Sequence, residues 1–247
     1  TVFTELSKDE LFEAVQQEKA KSEELVRNIL PDKIALALKE KTDNASTIFD
    51  YHPSTTILFT DEVGFTPLTS TLTPQRIVEL IDRLFSRFDA LCGIHGVEKI
   101  KTIGDAYMAV AGVPSAQEDH ARRAACLALD IRRVHAEVMA AEGVALKIRI
   151  GLHSGPVVAG VIGSRKYAYD IWGDSVNVAS RMESSSLPNE IHISAATRQL
   201  LPEGFMVQSR GEVAIKGRGT IASYFLRSFV PARAGWPSAS PEITGGQ

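Results

Sequence analysis

The sequence predicts an α+β fold: a ferredoxin-like βαββαβ core with an antiparallel sheet, extended by C-terminal strands and helices and preceded by an N-terminal helix. Three observations carry this expectation. Segments with strand-like alternation, such as residues 146–153, are interleaved with segments of helical period, such as residues 75–95. From residue 55 onward the order is strand, helix, strand, strand, helix, strand, which lets both helices cover one face of a sheet. The 247 residues are 44% hydrophobic and 23% charged, a size and balance able to bury one main core without disulfides or a structural metal.

Taken in order, Ser7, Lys8, Asp9 and Glu10 ahead of Leu11 form a capping box, and strong helix formers continue to about Leu30. Leu11, Val15, Glu18, Ser22, Leu25 and Ile29 keep alternating four- and three-residue spacing, with Glu18 and Ser22 weakening the middle. The pattern has two readings, a coiled-coil seam or an exposed helix resting one end on its own domain. Pro31 breaks it before a short helix over residues 32–39, and the polar residues 42–46 read as a linker. Residues 55–61 are strand-like, and Ile77, Leu80, Ile81, Leu84, Phe85, Phe88 and Leu91 mark one face of a helix over residues 75–95. Residues 97–102 and 106–111 flank Ile103-Gly104-Asp105 as a hairpin, followed by an amphipathic helix over 118–141 and a strand over 146–153. Residues 174–186 and 195–200, with strands near Ile191 and Tyr224, extend the core. The resulting division is 1–46 for an N-terminal helical or coiled-coil signalling segment and linker, 47–229 for the main domain, and 230–247 for a disordered tail rich in Pro, Gly, Ala and Ser.

Composition excludes some partners. The net charge is −3 and no Lys/Arg-rich run is present, which argues against nucleic acid, whose phosphates need clustered cations. No apolar stretch is long enough to span a bilayer and no signal peptide is visible. Cys92 and Cys126 both fall among apolar neighbours in helical patterns, so free thiols in a reducing, cytoplasmic environment are expected rather than a bridge. Thr1 stands where a complete chain has Met, which leaves room for an upstream sensor or membrane domain.

Two aspartates carry the first chemical signal. Asp61 ends the apolar run Ile57-Leu58-Phe59, and Asp105 precedes Met108-Ala109-Val110-Ala111, so each carboxylate is expected where a strand meets a turn. Alone, either is ordinary turn chemistry. As a pair of hard carboxylates they suit two Mg²⁺ or Mn²⁺ ions better than zinc. Gly155 to Gly160 has the opening spacing of a P-loop but lacks the following Lys-Ser/Thr, and His153-Ser154 and Asp119-His120 have no nucleophile elbow beside them.

The segments Phe59-Thr60-Asp61-Glu62-Val63-Gly64-Phe65-Thr66, Lys101 to Tyr107, Ile150 to Gly163 and Tyr169 to Glu183 occur in an order and spacing that resembles the class III nucleotide cyclases, from about Glu24 to Leu226. The resemblance implies an adenylyl cyclase converting ATP to 3′,5′-cyclic AMP and pyrophosphate. It implies that Asp61, Asp105 and the backbone carbonyl of Glu62 hold two metal ions. Asn177 is expected to orient the ribose and Arg181 to stabilise charge on the α-phosphate; four residues apart in a helix, they share one face. Arg165 and Lys216 are the implied triphosphate contacts, and Phe65 and Thr66 stand among the substrate-binding positions. Lys101 and Asp170 occupy the implied base-reading positions as a donor and an acceptor, the adenine pattern, where guanylyl cyclases carry Glu and usually Cys. Each implied site is shared between two copies of the domain, so a twofold homodimer is expected. Glu62 departs from the family, which generally has an apolar residue there, and is expected to alter metal affinity or to pack badly. It is also the one feature favouring a non-catalytic, cyclase-like regulatory module. Diguanylate cyclases are a weak match, since Ile103-Gly104-Asp105-Ala106-Tyr107 lacks their signature turn.

Overall fold

A computed structural model of the chain describes residues 8–27, 29–40, 48–162, 167–215 and 219–230. Two helices, α1 (Lys8–Arg27) and α2 (Asp32–Glu40), precede β1 (Ile48–Val63), α3 (Phe65–Thr69) and α4 (Pro74–His95). The hairpin β2 (Glu98–Ile103) and β3 (Ala106–Ala111) leads to α5 (His120–Glu142), β4 (Lys147–Val161) and β5 (Tyr169–Trp172). The chain closes with α6 (Asp174–Ser184), β6 (Ile191–Ser194), α7 (Ala195–Leu200), β7 (Phe205–Ile215) and β8 (Gly219–Phe229). The strands form one sheet in the order β2-β3-β1-β4-β6-β8-β7, with β5 paired to the second half of β4. The β2-β3-β1-β4 portion, antiparallel throughout, is the expected βαββαβ core.

Alternation along the strands feeds two cores. Leu58, Ile148, Ile150 and Leu152 face α4 and α5 in the larger one, where Tyr107 meets Phe88 edge-on at 5.5 Å and 88° and donates its hydroxyl to Asp89 at 2.6 Å. Ile57, Phe59, Val157 and Ala159 face the other way, against Leu30 just ahead of α2, Ile34 and Ala35 of α2, and Ala179 of α6. Lys33 fastens α2 to β1 through Asp50 at 3.2 Å. On α1, Val15 and Leu25 are exposed while Val26, at its end, packs beside the second core. The expected linker at 42–46 and the tail beyond 230 lie outside the described residues.

Both long central strands run further than expected. β1 starts at Ile48 and absorbs Pro53 in a bulge between His52 and Thr55, the kind of place where a strand tolerates proline. β4 continues through Gly155 and Pro156 to Val161, and β5 adds a short strand to it. Cys92 and Cys126 are free thiols, Cys92 buried against the Tyr107 hydroxyl at 3.3 Å. Among the described residues no helix is long and apolar enough to cross a membrane.

One close approach governs how α6 seats. A Cβ added at Gly151 on β4 would lie 2.0 Å from the Glu183 backbone nitrogen and 2.5 Å from its Cα. Only glycine lets helix backbone rest on strand backbone there. Gly151→Ala is therefore expected to lower stability by about 1–3 kcal/mol, the range for overpacking, read as the shift of the urea unfolding midpoint. A second expectation concerns pH. Burial, with the nearby Asp32 charge adding to it, pushes the Glu98 carboxyl from 4.5 up to about 7. The folded protein thus holds that proton more tightly than the unfolded chain, so the contribution of Glu98 is complete below pH 4.5 and is lost as pH rises through about 7. Glu98→Gln should stabilise the protein at pH 8 relative to the native sequence, with the advantage shrinking toward pH 4.5 when the two are compared by chemical denaturation.

Candidate active site

Asp61 and Glu62 are neighbours near the end of β1, and the two-residue period of the strand sends them to opposite faces of the sheet. The Glu62 carboxylate is buried in the helical layer, where Oε2 meets Nε2 of His135 on α5 at 2.8 Å. Burial pushes its pKa up, opposed by the hydrogen bond and charge of His135. One of its two oxygens is thus accommodated, because α5 supplies a histidine at that depth, so the expected poor fit is only partly relieved. Its second oxygen, Oε1, has no partner.

Asp105 stands on the two-residue connection between Ile103 and Ala106, which pair across the hairpin. Gly104 takes φ 63° there, a left-handed conformation that glycine adopts without a Cβ penalty. Burial pushes the Asp105 carboxyl up; its own backbone hydrogen bond opposes this, and the Asp61 charge adds to it. The two aspartates therefore feel each other, as carboxylates converging on one place must.

Arg149, on β4, is the direct cross-strand partner of Asp61. Its Nη2 donates to Asp61 Oδ2 at 2.5 Å and its Nε to Glu183 Oε1 at 3.0 Å. Glu183 reaches it because α6 lies on Gly151, two residues further along the same face of β4. Burial pushes the Glu183 carboxyl up to about 7, with the Asp61 charge adding to the effect. Neither Arg149 nor Glu183 was assigned a role from sequence. Arg149 is one of the polar positions of an alternating strand, and its partner could not be known without the register.

The opposite side of α6 carries the other candidates. Ser175, Val178, Ala179, Met182 and Glu183 turn inward, while Asn177, Ser180, Arg181 and Ser184 line an open cavity of about 650 Å³ with Ala214, Ile215, Gly219 and Thr220 of β7 and β8. Arg181 Nε donates to the Ala214 carbonyl at 3.2 Å. Lys101 on β2 and Asp170 on β5 meet directly, Nζ to Oδ2 at 2.5 Å, and Asp170 Oδ1 also accepts the Ile171 amide at 2.9 Å. Phe65 opens α3 and packs against the larger core, with Thr66 exposed beside it. Arg165 and Lys216 lie outside the described residues.

The donor set fits a divalent hard cation. Asp61 and Asp105 offer carboxylates beside the Glu62 backbone, and among the described residues no third His, Cys, Asp or Glu completes a closed cage. Such a site leaves positions for water and phosphate oxygens, as Mg²⁺ prefers.

The sequence profile of the adenylate and guanylate cyclase catalytic domain matches residues 49–228, and the chain belongs to this family, the class III nucleotide cyclases. It is 44% identical over 215 residues to an adenylate cyclase of Mycobacterium tuberculosis, covering 87% of this chain and 48% of that protein. It is equally 44% identical over 211 residues to guanylate cyclase soluble subunit beta-2 of Rattus norvegicus, covering 85% of this chain and 30% of the relative. The chain therefore spans about half or less of the length of these two curated relatives. The crystal structure of the guanylate cyclase domain of RhGC from Catenaria anguillulae, in complex with GTP, superimposes with a TM-score of 0.71 at 38% identity, covering 73% of this chain and 100% of that one.

Removing one partner of the buried Glu62 and His135 pair strands the other. His135→Ala is expected to cost about 1–3 kcal/mol of stability, the penalty for an unsatisfied buried polar group, measured by chemical denaturation.

Proposed function

We propose that this chain is an adenylyl cyclase that converts ATP to 3′,5′-cyclic AMP and pyrophosphate in a homodimer with two composite sites, residues 47–229 being the catalytic domain and 1–46 a signalling segment. The observation that carries the base preference is the pairing of Lys101 with Asp170. Adenine presents an exocyclic amine, which the Asp170 carboxylate accepts, and a ring nitrogen, to which the Lys101 ammonium donates. Guanine presents the inverse arrangement and would set its carbonyl against a carboxylate. In the free protein the two side chains satisfy each other at 2.5 Å, with Lys101 41% and Asp170 22% exposed. A pair this open contributes about 1 kcal/mol or less, so adenine displaces it at little cost.

The reaction closes a ring within one nucleotide. The 3′-oxygen forms a bond to the α-phosphorus, the bond from that phosphorus to the departing pyrophosphate breaks, and the hydroxyl proton passes to water. Asp61, Asp105 and the Glu62 carbonyl would hold two Mg²⁺ or Mn²⁺ ions, which when bound neutralise the polyphosphate and lower the pKa of the attacking hydroxyl. Asn177 orients the ribose, and Arg181, projecting into the same cavity, stabilises the charge that grows on the α-phosphoryl oxygens. Arg165 and Lys216 grip the triphosphate, with Phe65 and Thr66 beside it. Asp61 and Asp105 serve a site completed by the partner subunit's copies of Asn177 and Arg181.

Two competing readings weigh differently. A guanylyl cyclase has support in the equally similar rat relative, and Lys101 with Asp170 argues against it. The case for a regulatory module rested on Glu62, whose side chain lies on the far side of the sheet from Asp61.

Cyclic nucleotide formation from ATP and from GTP, with Mg²⁺ or Mn²⁺, tests the proposal. Cyclic AMP is expected to predominate, and Asp61→Ala should reduce it by about a hundredfold or more while dimerisation persists. Lys101→Glu combined with Asp170→Cys should move the ATP-to-GTP preference toward GTP by roughly tenfold or more. A folded dimer that turns over neither nucleotide would overturn the proposal, and predominant cyclic GMP would replace it with the guanylyl reading.

A further inference from the structure

The Asp61 carboxylate is engaged before any ligand arrives. Arg149 Nη2 takes its Oδ2 at 2.5 Å, while Nε of the same guanidinium holds Glu183 Oε1 at 3.0 Å. Among the described residues Arg149 is the one cation paired with either carboxylate. The three side chains are 29%, 26% and 11% exposed for Arg149, Asp61 and Glu183, so the triad is shielded from water mainly at its Glu183 end. A carboxylate that bridges two metal ions through both of its oxygens cannot keep a guanidinium on one of them. One of those of Asp61 is occupied by a guanidinium, and a like charge at that position competes with an incoming cation.

We infer that Arg149 is a positioning residue that occupies Asp61 in the metal-free protein and yields it to an incoming divalent cation by transferring its hydrogen bonds to Glu183. The inference rests on reading Asp61 as a metal-holding carboxylate. Glu183 is placed for this by the contact between Gly151 and α6, which brings the helix backbone against β4. The planar fork of arginine can bond two carboxylates at once, whereas an ammonium presents a single point charge. Glu183 keeps the released guanidinium paired, so that opening Asp61 does not leave a half-buried cation without a counter-ion. Because α6 also carries Asn177 and Arg181 on its outward face, the same triad ties the strand bearing Asp61 to the helix that serves the other composite site.

The test is Mn²⁺ binding to the full chain in the absence of nucleotide, read from the electron paramagnetic resonance signal of free Mn²⁺, with thermal unfolding confirming that each variant is folded. Arg149→Gln should bind Mn²⁺ about fivefold more tightly, the scale of one partly exposed ion pair. Glu183→Gln in the native background should bind it several-fold more weakly, because Arg149 then has Asp61 alone to hold. The decisive result is coupling: in the Arg149→Gln background, Glu183→Gln should change affinity by no more than about twofold. If Arg149→Gln does not fold, Arg149→Lys, which keeps the charge but cannot bridge both carboxylates, replaces it, and the effect of Glu183→Gln should shrink in the same way. Additive effects of the two substitutions, or unchanged or weaker binding in Arg149→Gln, would overturn the inference while leaving the metal site standing. If Asp61→Ala binds Mn²⁺ as well as the native chain does, the metal reading fails and the inference falls with it.

Discussion

The absence of a side chain at Gly151 is the constraint from which the arrangement of the site follows. With any Cβ at that point α6 would have to lift off β4, since the Glu183 backbone occupies the space. Seated there, the helix turns Glu183 toward Arg149 and Ala179 into the second core, while Val178 and Met182 meet Val213 and Ile215 of β7. The remaining face, with Asn177 and Arg181, is then left looking into the cavity bounded by β7 and β8. A helix of eleven residues thus carries charge to two separate places, and its rotation is set by packing on three sides rather than by the polar residues themselves.

Strand periodicity accounts for a departure from the family pattern in the same way. Adjacent carboxylates at positions 61 and 62 would repel strongly if they shared a pocket. On a strand they cannot: Asp61 stands on the face of Arg149 and α6, and Glu62 on the face of α5. A family position that is generally apolar faces the helical layer, and Glu62 is accommodated there by His135, which turns an unfavourable burial into a hydrogen-bonded one. The cost is one orphan oxygen on the core side and a carboxyl pKa raised by burial, to which the charges of Asp105 and Asp61 add.

The parts of the fold that could be read from sequence were those with local periodicity. The helix at Pro74–His95 and the strand at Ala106–Ala111 were anticipated almost to the residue, the first because its apolar spacing repeats over several turns, the second because it is a continuous apolar run beside a turn. α3, β5 and β7 were not assigned; α3 and β5, with five and four residues, are too short to show a period, and the eleven residues of β7 are interrupted by register shifts between Met206 and Val207 and between Ser209 and Gly211. β1 and β4 run beyond the expected 55–61 and 146–153, through Pro53 and Pro156, and a bulge accommodates the first. The aspartates were visible as strand-end residues. Their neighbours were not, because Arg149 faces Asp61 only through a register between strands 88 positions apart, and Glu183 joins only through the α6 contact. Chemistry supplied by one short segment is legible in a sequence; chemistry assembled by register is not.

The free protein keeps its recognition charges internally satisfied. Lys101 is held by Asp170, and Asp61 by Arg149, whose second bond goes to Glu183. A site with these charges bare would bind cations and anions indiscriminately, and like carboxylates left unscreened would push on α6 and the β2–β3 turn. On the proposed reading, pairing avoids that by making nucleotide and metal binding an exchange of partners: adenine would replace the contact between Lys101 and Asp170, and a cation would replace the guanidinium on Asp61. Exchange lowers raw affinity, because each internal bond must be given up, yet it penalises most the ligands that cannot replace what they break. On that reading, the open ion pair itself costs little to part, and a base lacking the donor and acceptor that match Asp170 and Lys101 is penalised because it covers both charges without pairing them, so discrimination would come from the charges already present.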